Sequence, residues 1–223
     1  MSPPKIIHIC NKEITDKLVH YSHNWKILNP EYEIKLYDDK MCEQFLLEEM
    51  SQIHYDIFKF IPDGPIKCDF WRCCILYKYG GVYADADIKP VLPLREFIEE
   101  DSNFVTCLSY YAGYNLHFII SEPGEDIFKF LIDKYIDYYT SKKNYDYWPW
   151  SICRLFDIYT GETRILNNEE YNNEGNYIIN NKKYQLLKDV FGSHYYDNHS
   201  VYNNKILFYT RHDGWDSEGH KFW

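Results

Sequence analysis

Between Lys67 and Pro90 the chain reads KCDFWRCCILYKYGGVYADADIKP, and its chemistry lies in two charged pairs. Asp69 and Arg72 are three residues apart and share one face of a helix, where an isolated pair is an ordinary ion pair. Asp85 and Asp87 are two apart at the end of an apolar strand, so strand alternation turns both carboxylates toward the opening beyond the strand ends. Two convergent carboxylates suit a hard cation such as Mn²⁺ or Mg²⁺, which keeps coordination positions for the phosphates of a nucleotide. With 18 aspartates in 223 residues, a D-x-D arises about once by chance, so the weight rests on context. Two of the three alanines, Ala84 and Ala86, flank Asp85, and Gly80-Gly81 stands just upstream. Small residues and a diglycine mark places where a ligand or another backbone comes close.

The elements that must hold these groups follow from periodicity. Lys5 to Cys10 reads as a buried first strand, and Ile14, Leu18, Tyr21, Trp25 and Leu28 recur at helical spacing, predicting a helix over 12–28 that stops at Asn29-Pro30. Glu33 to Tyr37 is a second strand. Asp38-Asp39 can cap a helix carrying Met41, Phe45 and Leu46, and a shorter one covers Gln52 to Phe60. This β-α-β-α opening predicts an α/β layer fold with parallel strands. Pro65 suits the first turn of a helix over Ile66 to Tyr79, which Gly80-Gly81 ends with positive φ, and Val82 to Ala86 is the strand delivering the aspartates. Further strands are expected at Phe104–Ser109, Phe118–Ser121, Tyr177–Asn180, Tyr184–Leu187 and Ile206–Thr210, with helices at Glu125–Tyr139 and Ser151–Tyr159. Asn167 to Asn181 reads as a polar surface excursion.

Composition narrows the function classes. A length of 223 residues is a prior for one domain over 1–223, and 45% hydrophobic with 26% charged residues matches an ordinary globular protein. The net charge of −10 repels nucleic acid and anionic membranes, so a phosphate-bearing small molecule needs a local Arg or Lys or a bound cation. Seven cysteines without a CxxC pair suggest neither a zinc site nor a disulfide framework. The start MSPPKIIHIC has no signal-peptide pattern, and no 18-residue apolar run occurs, so the expectation is a soluble, cytoplasmic protein with reduced thiols and no transmembrane segment. Abundant Ile, Tyr, Lys and Asn with scarce Ala point to an AT-rich genome, such as that of a large DNA virus or a parasite.

The series Asp69-x-x-Arg72, Gly80-Gly81-Val82-Tyr83-Ala84-Asp85-Ala86-Asp87 and Pro90 resembles the signature of the DXD-containing glycosyltransferases of family 32. The glucosylating domains of the large clostridial toxins have the same order and spacing. Weaker similarity covers Pro4 to His8, Asn29 to Glu33, Phe118 to Gly124 and Thr160-Gly161. The resemblance implies a GT-A fold: a Rossmann-like mixed, mostly parallel sheet flanked by helices. It also implies a nucleotide-sugar donor, UDP-linked by preference, a glycan or glycoprotein acceptor, Mn²⁺ or Mg²⁺ as cofactor, and retention of anomeric configuration.

Carried over residue by residue, it makes Asp87 a direct metal ligand, while Asp85 contacts the ribose and the metal or its water. Asp69 and Arg72 hold the sugar hydroxyls and the diphosphate side, and Asn115 lies near the reacting sugar. His8, Ile9, Cys10 and Asn11 bracket the base, with Tyr83 and Ala84 among the substrate contacts. His212, delivered by the strand ILFYT, is a candidate third metal ligand, and Trp215 is either a diphosphate contact or a packing residue. Two other classes stay open: a phosphatase with Asp85 as nucleophile and Asp87 as acid, and a non-catalytic carbohydrate-binding domain. The phosphatase pattern wants Thr or Val where Lys89 stands. Substitutions Asp69→Ala and Arg72→Ala are expected to impair donor use while leaving folding intact.

Overall fold

The computed structural model describes residues 3–109, 113–146, 152–161, 174–192 and 198–210. Strand β1 (Ile6–Cys10) leads through helix α1 (Asp16–Leu28) to β2 (Glu33–Tyr37). Then come α2 (Asp39–Phe45), a π-helical turn over Leu46–Met50, α3 (Gln52–Phe60) and α4 (Gly64–Tyr79). Strands β3 (Gly81–Ala84), β4 (Lys89–Pro90), β5 (Phe104–Leu108) and β6 (Tyr114–Ser121) follow, with a 3₁₀ turn over Leu94–Glu96 between β4 and β5. The chain continues through α5 (Asp126–Thr140), α6 (Ile152–Thr160), β7 (Gly175–Ile179), β8 (Lys182–Val190), β9 (His199–Tyr202) and β10 (Lys205–Tyr209).

One mixed sheet runs in the order β2-β1-β3-β6-β5-β8-β9-β10-β4, with β7 paired to β8. Parallel pairing is confined to β1/β2, β1/β3 and β5/β8. The remaining pairs among the described strands are antiparallel, so the sheet is less parallel than the opening alternation implies. Two of these pairs are local: β7–β8 and β9–β10 are tight hairpins turned by Asn180-Asn181 and Asn203-Asn204, all four with positive φ of 49–62°. Asparagine tolerates that conformation, and two such residues in succession match the twist of a hairpin. Part of the Asn-rich stretch is therefore turn chemistry within the sheet, while 162–173 lies outside the described residues.

Alternation along β1 divides the core. Ile7 and Ile9 face α1, packing with Leu18, Trp25, Val82 and Ala84. Cys10 faces the layer of α2 to α6, whose centre is α4. Seven successive residues of α4, Phe70 to Leu76, are buried, so the middle of this helix is enclosed and Cys73 and Cys74 are core residues. Asp63 caps it by accepting from the Ile66 N–H (3.4 Å). Thr15 caps α1 in the same way, which starts that helix at Asp16 rather than at residue 12.

The diglycine is explained by crowding. Gly80 has φ +61°, and a Cβ there would lie 2.6 Å from the Pro123 nitrogen; one on Gly81 would lie 2.8 Å from the Ile6 carbonyl oxygen. Only glycine lets α4 end against the β6–α5 connection and turn straight into β3.

Candidate functional site

Strand β1 pairs with β2 on one side and β3 on the other, so the crossovers leave in opposite directions and a crevice opens beyond their carboxyl ends. A cavity of about 460 Å³ occupies that place, within the range of roughly 300–1,000 Å³ typical of ligand sites. Its walls are Cys10, Asn11 and Lys12 after β1, Asp39 and Cys42 of α2, the first half of α4, and Tyr83, Asp85 and Ala86.

Arg72 is the centre of the polar wall. It is 6% exposed, and its Nη1 donates to the Leu116 carbonyl of β6 (2.6 Å). Its Nη2 pairs with Asp69 (2.9 Å) and Asp85 (3.3 Å), and the guanidinium lies 4.5 Å from the Tyr83 ring centroid. Tyr83 in turn donates its hydroxyl to Asp85 Oδ1 (2.6 Å). One buried cation thus ties the helix motif to the strand motif, two segments that are separate in sequence. Burial pulls the guanidinium pKa down, but Tyr83, Asp85 and Asp69 outweigh it and hold Arg72 well above its ordinary value. Burial also raises Asp69 to about 6, against the lowering by Arg72.

The two aspartates are not held as strand alternation predicts. Strand β3 ends at Ala84, and the Ile88 N–H bonds the Asp85 carbonyl (3.1 Å), so residues 85–88 form a turn. The Asp85 N–H instead donates to the His117 carbonyl of β6 (2.8 Å). Asp85 stands at the cavity wall with its side chain 26% exposed, whereas Asp87 sits 8% exposed inside the turn.

The other residues singled out from sequence divide between cavity and core. Cys10, Asn11 and Tyr83 line the cavity, as does Arg72. Ile9 (2%) points into the opposite core, and Ala84 is fully buried beside it, so neither side chain reaches the cavity. His8, expected to bracket a base, is 1% exposed and serves the fold instead. Its Nε2–H donates to the Gly80 carbonyl (3.1 Å) and its Nδ1 accepts from the Tyr37 hydroxyl (3.1 Å), an arrangement that needs a neutral ring. Desolvation lowers its pKa from 6.5 to about 4. Asn115 lies outside the cavity wall and donates to Asp189 Oδ2 (2.8 Å). His212 and Trp215 lie outside the described residues.

Sequence reading missed Lys12, Lys67 and Cys68. Lys67 pairs with Asp39 (3.3 Å) on the cavity wall, and Cys68 sits one turn before Arg72. Their signal was available in part, since Cys68 lies four residues before Arg72 and shares its helix face.

Two donor sets could hold a cation. The carboxylates of Asp85 and Asp87 are hard oxygen donors, and Mg²⁺ or Mn²⁺ needs only one or two such groups, completing its shell with water and phosphate oxygens, so the DXD turn fits such an ion. Among the described residues a second set joins Cys107, His117 and Asp189 from β5, β6 and β8, with donor atoms within 4.8 Å of one another. Its sulfur, nitrogen and oxygen suit a borderline cation better than a hard one. Asp189 there is already engaged by Asn115 and by the Ser200 hydroxyl (2.6 Å).

Comparison with known proteins follows the same residues. Residues 15–104 match the family described as glycosyltransferase sugar-binding region containing DXD motif. The initiation-specific alpha-1,6-mannosyltransferase of Candida albicans is 30% identical over 95 residues, 41% of this chain and 24% of that protein. Inositol phosphoceramide mannosyltransferase 3 of Schizosaccharomyces pombe is 36% identical over 89 residues, 38% of this chain and 24% of that protein. The chain thus matches about a quarter of the length of these relatives. Among solved structures, the PaToxG glycosyltransferase aligns with a TM-score of 0.48 and 16% identity, covering 69% of this chain and 65% of that one. The catalytic domain of alpha-toxin from Clostridium novyi aligns at 0.42 and 11%, covering 63% and 59%. The matched segment contains both charged motifs that Arg72 joins, so the similarity to the DXD-containing sugar-binding region falls on the residues that build the polar side of the cavity.

Proposed function

We propose that the chain, acting as one domain in the cytoplasm, transfers a hexose from a nucleotide-sugar to a hydroxyl of a glycan or glycoprotein, with metal dependence and retention of configuration. The observation that carries this reading is the buried Arg72 bridge, which ties the Asp69 carboxylate of the helix to the Asp85 carboxylate on the wall of a cavity at the switch point of the sheet. A UDP-linked donor is preferred from the motif order, and the mannosyltransferase names of the relatives support a hexose as the group transferred.

Each residue contributes binding or orientation. Asn11 and Cys10 at the β1 exit border the space for the base, and Lys12 and Lys67 offer cationic groups to a diphosphate. A divalent ion held by Asp87 and Asp85 would neutralise charge on the departing diphosphate. Asp85, fixed by Tyr83 and Arg72, keeps one carboxylate orientation before the donor arrives, so no reorganisation is needed during transfer. Asp69 accepts from sugar hydroxyls while Arg72 holds it in place.

The test is a panel of UDP- and GDP-sugars with Mn²⁺ or Mg²⁺, read by release of the nucleoside diphosphate and by the anomeric configuration of the product. Release from at least one donor, abolished by EDTA and restored by the metal, is expected. Turnover of an aryl phosphate with every nucleotide-sugar inert would replace this reading with the phosphatase one.

A further inference from the structure

The cavity wall carries two thiols that take no chemical part in the transfer reaction. Cys10, at the end of β1, and Cys68, on α4, place their Sγ atoms 2.8 Å apart although 58 residues separate them. Both are free, and both line the cavity, so a small solute entering it meets them. Two unbonded sulfurs normally keep well beyond this separation, whereas a disulfide needs about 2.05 Å. The backbones that carry them are already fixed: β1 is hydrogen-bonded on both sides, and α4 is enclosed in the core. Closure therefore needs a small movement of two side chains and no rearrangement of the fold.

We propose that Cys10 and Cys68 form an oxidisable dithiol, a covalent modification site for a peroxide-class oxidant at the base of the DXD cavity. One thiolate attacks a peroxide oxygen, breaking the O–O bond and giving a sulfenic acid and water once the leaving oxygen takes a proton. The second thiolate attacks that sulfur, forming the S–S bond and expelling the hydroxyl as a second water. Both sulfurs are oxidised by one electron each, hydrogen peroxide accepts two, and the two thiol protons leave in the waters.

The consequence lies in what the sulfurs now hold. Cys68 Sγ bonds the Tyr83 hydroxyl (3.0 Å) and lies 3.9 Å from Arg72 Nη2. Crosslinking turns Cys68 toward β1 and withdraws it from the pair of residues that orient Asp85. Hydrogen bonding with Cys42 raises the Cys10 thiol and hydrogen bonding with Cys10 raises Cys68, both well above the ordinary range. Oxidation is accordingly slow at neutral pH and accelerates as pH rises.

The experiment is titration of the full chain with hydrogen peroxide at pH 7 and pH 9, followed by intact mass and non-reducing peptide mapping. The expected result is a loss of about 2 Da that dithiothreitol reverses, a crosslinked peptide containing Cys10 and Cys68, and faster formation at pH 9. Cys68→Ser is expected to abolish that crosslink. If this variant does not fold, the wild-type peptide map decides alone. Crosslinking of Cys10 to Cys42, or sulfinic acid with no crosslink, would overturn the proposal. The readout is independent of the glycosyltransferase reading, so failure of one leaves the other standing.

Discussion

Replacing Arg72 by Met keeps the length and apolar character of the stem while removing the cation that two carboxylates and one carbonyl share. The side chains of Arg72, Asp69 and Asp85 are 7%, 17% and 26% exposed, so the loss occurs largely out of water. Breaking a buried pair by deleting one partner costs about 3–5 kcal/mol, chiefly because the other charge stays buried and unpaired. For a chain of this size about 2–4 °C of melting temperature goes with each kcal/mol, giving an expected fall of about 6–20 °C. This revises the expectation from sequence that losing Arg72 leaves folding intact, since that expectation gave the arginine the donor as its partner, whereas Asp69, Asp85 and the Leu116 carbonyl hold it within the fold.

The pH dependence identifies the cause. Asp69 stands at about 6, raised by burial and lowered by Arg72, so without the arginine it rises further. A carboxyl raised above its unfolded value binds protons better in the folded state; its contribution is full at low pH and is lost as pH climbs through the folded pKa. The deficit of Arg72→Met relative to wild type should be smallest near pH 5 and grow toward pH 8. Adding Asp69→Asn should flatten that growth and recover part of the melting temperature. Thermal unfolding of the three proteins across that range is the assay. A melting temperature for Arg72→Met within about 2 °C of wild type, or a deficit that does not change with pH, would refute the reasoning.

Three further outcomes follow from the same geometry. Asp87→Asn should lower turnover of the accepted nucleotide-sugar by at least about 10²-fold, the scale of one lost preorganised contact, whereas Asp85→Asn should mainly raise the donor KM; steady-state kinetics separates the two. His8→Gln should make the acid limb of stability shallower, because a ring depressed from 6.5 to about 4 contributes stability above pH 6.5 that is lost as pH falls through 4; urea midpoints between pH 7 and pH 4 check this. Gly80→Ala, with a Cβ 2.6 Å from the Pro123 nitrogen and φ at +61°, should lose more than about 2 kcal/mol in urea unfolding.

Much of the N-terminal half was legible because it obeys local rules. Apolar spacing, caps at Thr15, Asp38 and Asp63, and the diglycine each act within a few residues. What escaped depends on contacts distant in sequence. Strand alternation was extrapolated past Ala84, but the Asp85 N–H is taken by the His117 carbonyl and the chain turns, which no pattern within 82–87 records. The family resemblance implies that His8 brackets a base, yet the Gly80 carbonyl, 72 residues away, claims its Nε2–H. The hairpins of the C-terminal half were partly hidden because Asn-Asn reads as polar surface unless its tolerance of positive φ is weighed.

A net charge of −10 sets a requirement that any phosphate-binding reading must meet. Arg72 does not meet it by itself, because its guanidinium is already divided among Asp69, Asp85 and Leu116, and the pairing leaves the two carboxylates in excess by one charge. Lys67 is partly offset by Asp39, since the two lie 3.3 Å apart with the aspartate side chain 39% exposed. Taken together with Asp69, which pairs with Arg72 from outside the wall, the charges around the cavity then sum to near neutrality: Lys12, Lys67 and Arg72 against Asp39, Asp85 and Asp69. A diphosphate entering such a site gains little from the protein's own charges, so on the proposed reading a divalent ion must supply the difference. On that reading Asp85 stands on both sides of one electrostatic balance: it helps make the cavity poor at holding an anion, and with Asp87 it would recruit the cation able to hold it.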